Sequence, residues 1–563
     1  MVDDEHDDGV AEEEAMDNAN VLNPIIGIGI DDIKSAGISV AKQALIRPLA
    51  GLQQAASLIA ENVKIVAGTS KLAPNAKDRR FKDDAFDDSP IYRRVAQSWL
   101  ALERSLSEWV DSAEFEESDR DRAKFFTQLI ADAIAPTNFL MGNPSALRKA
   151  KETKGMSLVQ GVENLAHDWL HNDGMPTQVD STPFVVGENL ATTTGSVVFE
   201  HPVLELIQYA PTTKNVRARP VLIVPPQINK FYVYDLTPEK SIVKYLLDQS
   251  FQVFVVSWRN PTAEQREWGL DEYTKAIEEA IDSICTITRH PCVDTVGACA
   301  GGITLTATLA YMAAVDKGDA VASMTLMVNV LDPRSQDTVA NLFMTDEIIE
   351  TSRKRTASTG ILDGRDTARV FSWMRPNDLI WNYVASNYLH GDTPPAFDVL
   401  FWNSDTTRLP ASLHSDFLDV FKNSPFRNAG SLSIRGVEID VGKISCPIYI
   451  MAGSTDHITP WSACYRSTQL FSGDVTFVLS SSGHIQSLIN PPNSSKRIYW
   501  TNSEISVDHG DWLKGAEEQG GSWWPHWSDW LLAEDAEQKT APKKCGNKKF
   551  SPLRPAPGDY VFE

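Results

Sequence analysis

Basic residues are scarce in this sequence: 52 Lys and Arg stand against 75 Asp and Glu, a formal net charge of −23. Nucleic-acid phosphates need Lys and Arg opposite them, and anionic lipid attracts the same side chains. The balance argues against both partners. No segment approaches the ~18 uninterrupted apolar residues of a membrane helix, so no bilayer span is expected. The N-terminus lacks the basic-then-apolar order of a secretory signal, which predicts a cytoplasmic protein. Cysteine is sparse too. The six residues Cys285, Cys292, Cys299, Cys446, Cys464 and Cys545 contain no C-x-x-C pair. That pattern reads as free thiols in a reducing compartment, with neither a disulfide frame nor a metal site.

What is present is enough apolar material for a real core, 42% of 563 residues, in a chain too long for one ordinary domain. Nine acidic residues between Asp3 and Asp17 read as a solvated arm over residues 1–22. Residues 23–182 read as a helical N-terminal domain. Apolar residues recur at helical spacing from Ile33 to Val66, where Pro48 breaks or kinks the run. They recur again at Trp99, Leu102, Leu106 and Trp109, and Ser118-Asp119 opens a further helix.

From residue 183 onward short β-branched runs alternate with helical ones. The strands are expected at Val197–Phe199, Leu204–Tyr209, Val221–Val224, Val253–Ser257, Val293–Val296, Met324–Val330, Ile448–Met451 and Val475–Leu479. Helices are expected at Tyr273–Ile287 and Ile303–Val315. Such alternation predicts an α/β domain, a mostly parallel sheet covered on both faces. The Trp-, Asn- and Pro-rich interval of about 333–440 interrupts the rhythm and reads as an inserted cap.

The chemistry centres on Gly297-Ala298-Cys299-Ala300-Gly301-Gly302, set between a strand and a helical run. Strand, G-x-C-x-G, helix is the context of a nucleophile elbow on an α/β-hydrolase core. Chance supplies only about 0.02 such matches in this composition. Glycines two residues either side are needed because a Cβ there would collide with the neighbouring strand and helix. The turn sets the nucleophile at a helix N-terminus, where free N–H groups and the dipole favour a thiolate. The competing reading is a buried structural cysteine beside a tight turn.

An elbow needs an acid and then a histidine downstream. Asp456 follows the strand Ile448–Met451, and His484 follows Val475–Leu479. His457 is a rival base and Asp332 a rival acid. An oxyanion hole takes one N–H from the residue after the nucleophile, Ala300. The second comes from the loop Val224-Pro225-Pro226-Gln227-Ile228, in which the prolines have no N–H, so Gln227 or Ile228 is the donor. Sulfur suits acyl exchange: thiolate attack on a thioester is nearly isoenergetic, whereas attack on an oxygen ester runs uphill. The choice of Cys therefore points to acyl transfer.

The chain resembles the polyhydroxyalkanoate synthases, most closely the medium-chain-length (class II) group. The resemblance runs from about Leu22 to the C-terminus. It is carried by Asp78-Arg79-Arg80-Phe81, Ala135-Pro136-Thr137-Asn138, Pro225-Pro226-Gln227-Ile228-Asn229-Lys230-Phe231-Tyr232 and Ser257-Trp258-Arg259-Asn260-Pro261. Further matches are Trp373-Met374-Arg375-Pro376-Asn377-Asp378, Asp456-His457-Ile458-Thr459-Pro460-Trp461, Gly483-His484-Ile485-Gln486-Ser487 and Asn490-Pro491-Pro492.

It implies polymerisation of (R)-3-hydroxyacyl-CoA into polyester with release of CoA and no cofactor. The family's catalytic Cys, Asp and His fall on Cys299, Asp456 and His484. Asp456 is implied to orient His484 or to help activate the 3-hydroxyl. The resemblance also implies a homodimer at the surface of cytoplasmic polyester granules, beside other granule-associated proteins. Its N-terminal domain would assist assembly and granule contact. Asn329 stands where related sequences carry Ser or Thr. With Gln486 and His457, it is a candidate for the substrate pocket.

Overall fold

A computed structural model describes residues 48–563 apart from 77, 113–116, 334–345, 366–367, 369–371, 374–375, 494–496 and 535–536. The acidic arm, the run before Pro48 and part of the cap interval lie outside these residues. The chain divides into two compact units. Among the described residues, one comprises 48–180 and 368–396, and the other 181–367 and 397–563. The interval 333–440 is thus shared: 368–396 clusters with the N-terminal helices and its flanks with the sheet.

The helical unit is built on α1 (Pro48–Ala67), α2 (Pro90–Ser112), α3 (Glu117–Ala133) and α4 (Met156–His171). Pro48 is the first residue of α1, where its missing N–H costs nothing. Trp99 and Ala96 of α2 pack on Phe81 and Phe86. The Arg80 guanidinium lies 4.7 Å from the Trp99 ring centre and pairs with Asp78 and Asp132. The segment 368–396 is fastened to α4 through the buried Asp168 carboxylate, which accepts from the Tyr388 hydroxyl at 2.8 Å and the Thr177 N–H at 3.0 Å. Gly161 permits this approach, since a Cβ there would overlap the Tyr388 carbonyl.

The other unit holds an eleven-stranded sheet. Its strands are β1 (Gly195–Glu200), β2 (Leu204–Tyr209), β3 (Pro220–Val224), β4 (Gln252–Trp258), β5 (Val293–Ala298) and β6 (Val321–Met327), then β7 (Ile448–Gly453), β8 (Val475–Ser480), β9 (Ile498–Thr501), β10 (Glu517–Gly520) and β11 (Arg554–Pro555). The order is β10-β9-β8-β7-β6-β5-β3-β4-β2-β1-β11. The six strands from β8 to β4 are parallel, and antiparallel strands flank them on both sides. All eight expected strands are present. β9, β10 and β11 are additional.

The parallel strands are buried over most of their length, as helices on both faces require. α5 (Leu270–Thr288) carries an apolar stripe, and α6 (Ala300–Ala314) is apolar all round and almost wholly buried. One expectation shifts. β6 ends at Met327 and not at Val330, because Val328 turns the chain at φ +44° and donates its N–H to the Met451 carbonyl at 2.8 Å. Asn329 therefore lies beyond the strand.

Candidate active site

Three strand ends converge in the sheet unit. β5 delivers Cys299 at φ +47°, a conformation costly for any residue with a Cβ, and α6 begins at the next residue. The Cys299 N–H donates to the Met327 carbonyl at 3.0 Å, tying the turn to β6. A Cβ on Gly297 would sit 2.8 Å from the Gly302 Cα, and one on Gly301 would sit 2.5 Å from the Val224 carbonyl oxygen. The glycines face the helix and the neighbouring strand, the collisions expected from the sequence.

β7 ends at Gly453, and Asp456 follows in its loop. β8 ends at Ser480, and His484 opens the five-residue helix α7 (His484–Leu488). His484 Nδ1 lies 2.6 Å from Asp456 Oδ2. Cys299 is a second influence on the same imidazole, whose Nδ1 is already taken by Asp456. Cys299 is 9% exposed and His484 and Asp456 5% each.

Both Asp456 oxygens are fully engaged. Oδ1 accepts the N–H groups of Ile458 and Thr459 at 2.9 Å, and Oδ2 accepts the Thr459 hydroxyl at 2.6 Å. Burial works to raise the Asp456 pKa, but the His484 charge and these hydrogen bonds hold it below the usual carboxylate value. For His484, burial alone favours the neutral ring. The carboxylate and Cys299 outweigh it and raise the pKa to about 10.

The remaining candidates separate clearly. Asp332 is buried between Arg427 at 3.6 Å and Arg466 at 3.8 Å, so arginines balance its charge. His457 is half-buried beside Asp456, whose carboxylate meets His484 instead. Gln486 is half-buried on α7, with its carbonyl accepting from Arg497. Asn329 Nδ2 donates to the Cys299 carbonyl at 2.7 Å, and its buried Oδ1 has no partner among the described residues. Asn329 thus braces the peptide of the elbow.

The loop expected to supply an oxyanion N–H is pinned by Thr407, which donates its hydroxyl to the Gln227 carbonyl at 2.6 Å and its N–H to the Ile228 carbonyl at 2.7 Å. Gln227 Nε2 donates to Thr304 of α6 at 3.0 Å, joining that loop to the helix behind Cys299. Among the described residues no group of three or more His, Cys, Asp or Glu side chains could hold a metal ion.

Two supports escape sequence reasoning. Thr459 bridges the Asp–His pair; its signal is its place three residues after Asp456. The indoles of Trp523 and Trp524 donate to the carbonyls of Ser487 and Leu488 at 2.8 and 3.2 Å, anchoring the far end of the helix that His484 opens. No spacing in the sequence points to them.

Comparison with known proteins names the lineage of this arrangement. Residues 77–246 match the family model for the poly-beta-hydroxybutyrate polymerase N-terminus, and residues 220–491 match that for the alpha/beta hydrolase fold. Poly(3-hydroxyalkanoate) polymerase 1 of Ectopseudomonas oleovorans is 45% identical over 98% of both chains. The chain belongs to the poly(3-hydroxyalkanoate) polymerase family. A second polymerase of that organism is also 45% identical, over 96% of this chain and 97% of its own. The polymerase subunit of Cupriavidus necator is 40% identical over 86% of this chain and 83% of its own. The family membership makes this chain an acyltransferase, and the helical unit lies largely within the matched polymerase N-terminus.

Proposed function

We propose that this enzyme polymerises (R)-3-hydroxyacyl-CoA of medium chain length through a covalent acyl thioester on Cys299. The observation that carries the reading is the buried Cys299–His484–Asp456 contact at the elbow of a polymerase-family chain. In the first step Cys299 Sγ, its proton already held on His484, attacks the thioester carbonyl. The carbon–sulfur bond to CoA breaks, and His484 returns the proton to the departing CoA sulfur. In the second step the 3-hydroxyl of an incoming unit attacks the acyl carbonyl. Its proton passes through His484 to Cys299 as the carbon–Sγ bond breaks. Each cycle forms one ester and releases one CoA thiol, so no cofactor is required.

The N–H groups of Ala300 and of Gln227 or Ile228 serve the oxyanion. Asp456 orients His484: with both oxygens already engaged and the side chain fully enclosed, it has little capacity left for a substrate hydroxyl. The medium-chain assignment rests on the sequence resemblance, with Asn329, Gln486 and His457 as pocket candidates.

We also propose that the helical unit brings the enzyme to the surface of polyester granules in the cytoplasm, as a homodimer beside granule-associated proteins. α4 supports this by exposing Met156, Val159, Val162, Leu165, Trp169 and Leu170 along its length. Among the described residues no helix is long and apolar enough to cross a membrane.

Purified protein given 3-hydroxyacyl-CoA substrates of several lengths is expected to release CoA and build polymer, and Cys299→Ala to do neither. Free hydroxy acid as the main product would favour a Cys-type hydrolase. Polymer from Cys299→Ala at the normal rate would overturn Cys299 as the nucleophile.

A further inference from the structure

The chain segment leaving β3 starts against the elbow and ends in a buried hydroxyl. Residues 225–230 form the loop, and Phe231–Tyr234 form a 3-10 turn whose four side chains are all buried. The start of this segment abuts the elbow: the Val224 and Pro225 carbonyls occupy the space a Cβ on Gly301 would need, and Val224 pairs with Gly297 across β3 and β5. At the end of the turn Tyr234 is 2% exposed, and its hydroxyl has no protein hydrogen-bond partner among the described residues. Burial pushes the Tyr234 pKa above its ordinary value, and negative charge on Cys299 pushes it further, so the phenol stays neutral and lies within electrostatic reach of the sulfur.

A buried hydroxyl without a partner is destabilising, and proteins rarely retain one without a use. Two other polar side chains of the segment have partners: the Tyr232 hydroxyl donates to Asp405 at 2.8 Å, and Lys230 Nζ donates to the Tyr560 carbonyl at 3.2 Å; Gln227 Oε1, like the Tyr234 hydroxyl, has none among the described residues. The substrate class proposed above brings two oxygens close to Cys299. The thioester carbonyl oxygen has backbone N–H donors assigned to it. The 3-hydroxyl, two carbons further along, has none. It is both donor and acceptor, as a phenol is.

We propose that the Tyr234 hydroxyl hydrogen-bonds the substrate's 3-hydroxyl while the acyl carbonyl sits at Cys299, making Tyr234 a specificity residue. The inference rests on the synthase reading. A site built to bond a hydroxyl rejects the analogue lacking it, because its own polar group is then left unpaired.

The test compares wild type with Tyr234→Phe, which removes one oxygen and keeps the ring. The probes are a 3-hydroxyacyl-CoA and the saturated acyl-CoA of equal length, assayed as first-turnover CoA release for the former and competitive inhibition for the latter. The variant is expected to lose roughly 10- to 100-fold in preference for the hydroxylated chain. It should bind the hydroxylated chain worse and the saturated chain as well as or better than wild type does. Equal weakening of both, as a packing defect would produce, overturns the proposal, and so does an unchanged preference. Failure of the synthase reading shows separately, as wild-type CoA release that yields free acid or survives Cys299→Ala.

Discussion

At the residue scale the Asp456–His484 pair sets the pH behaviour of the site. His484 binds its proton more tightly in the folded protein than in the unfolded chain, where histidine titrates near ~6.5. That contribution to stability is complete below pH ~6.5 and is lost as pH rises through about 10. Asp456 acts in the opposite sense. With its pKa held below the ordinary ~3.9, its contribution is present above that value and disappears as pH falls through the depressed one. Asp456→Asn should therefore cost most stability between about pH 4 and 6.5, with the difference narrowing on either side. Urea midpoints of both proteins across the pH range measure it, and a constant difference would contradict the assignment. Cys299, Asp456 and His484 are legible in the sequence because each follows a strand at a recognisable spacing. Thr459 and Tyr234 are not: their significance lies in which hydroxyl meets a partner in the fold and which does not.

At the element scale the elbow and the helix α7 are held from outside. Gly301→Ala places a methyl group against backbone carbonyl oxygens, which cannot swing aside as a side chain could. It is expected to cost about 1–3 kcal/mol and to abolish CoA release, as denaturation and activity assays would show. Trp523 is fully buried, and its indole holds the Ser487 carbonyl. Trp523→Phe removes that donor and leaves a void. A loss of about 1–3 kcal/mol in urea denaturation is expected, with kcat falling as α7 loosens. Trp169→Ala on the exposed face of α4 should change stability by less than about 0.5 kcal/mol. If that face contacts polyester, the same variant should partition more weakly to granules, as sedimentation would report.

At the scale of the whole molecule, the net charge of −23 makes self-repulsion a standing cost of compactness. Raising salt from about 0.01 to 0.15 M shortens the screening length from ~30 to ~8 Å. Tm is expected to rise over that range, and a Tm insensitive to salt would show the charges already balanced locally. The parallel centre of the sheet is legible in the sequence because buried β-branched runs announce themselves between helices. The outermost antiparallel strands β10 and β11 are not. β10 reads Glu-Glu-Gln-Gly and β11 spans two residues, so neither carries an apolar signature. The division of the 333–440 interval is equally silent, since the clustering of 368–396 depends on tertiary contacts such as that of Tyr388 with Asp168.

That division bears on how the molecule comes into being. β6 and β7 are neighbours in the sheet, yet about 120 residues separate them, and closing a loop of that length costs ~4 kcal/mol of chain entropy before any contact forms. Part of the same loop belongs to the helical unit. On a ribosome β1 through β6 emerge well before β7 and β8, so Cys299 is made long before the Asp456 and His484 that accompany it. A nascent chain at that stage holds an elbow without its base, and the second half of the sheet must be recruited by a slow, long-range step. Refolding should accordingly show a late phase in which reactivity of the Cys299 thiol toward alkylating agents changes together with the burial of Tyr449 on β7.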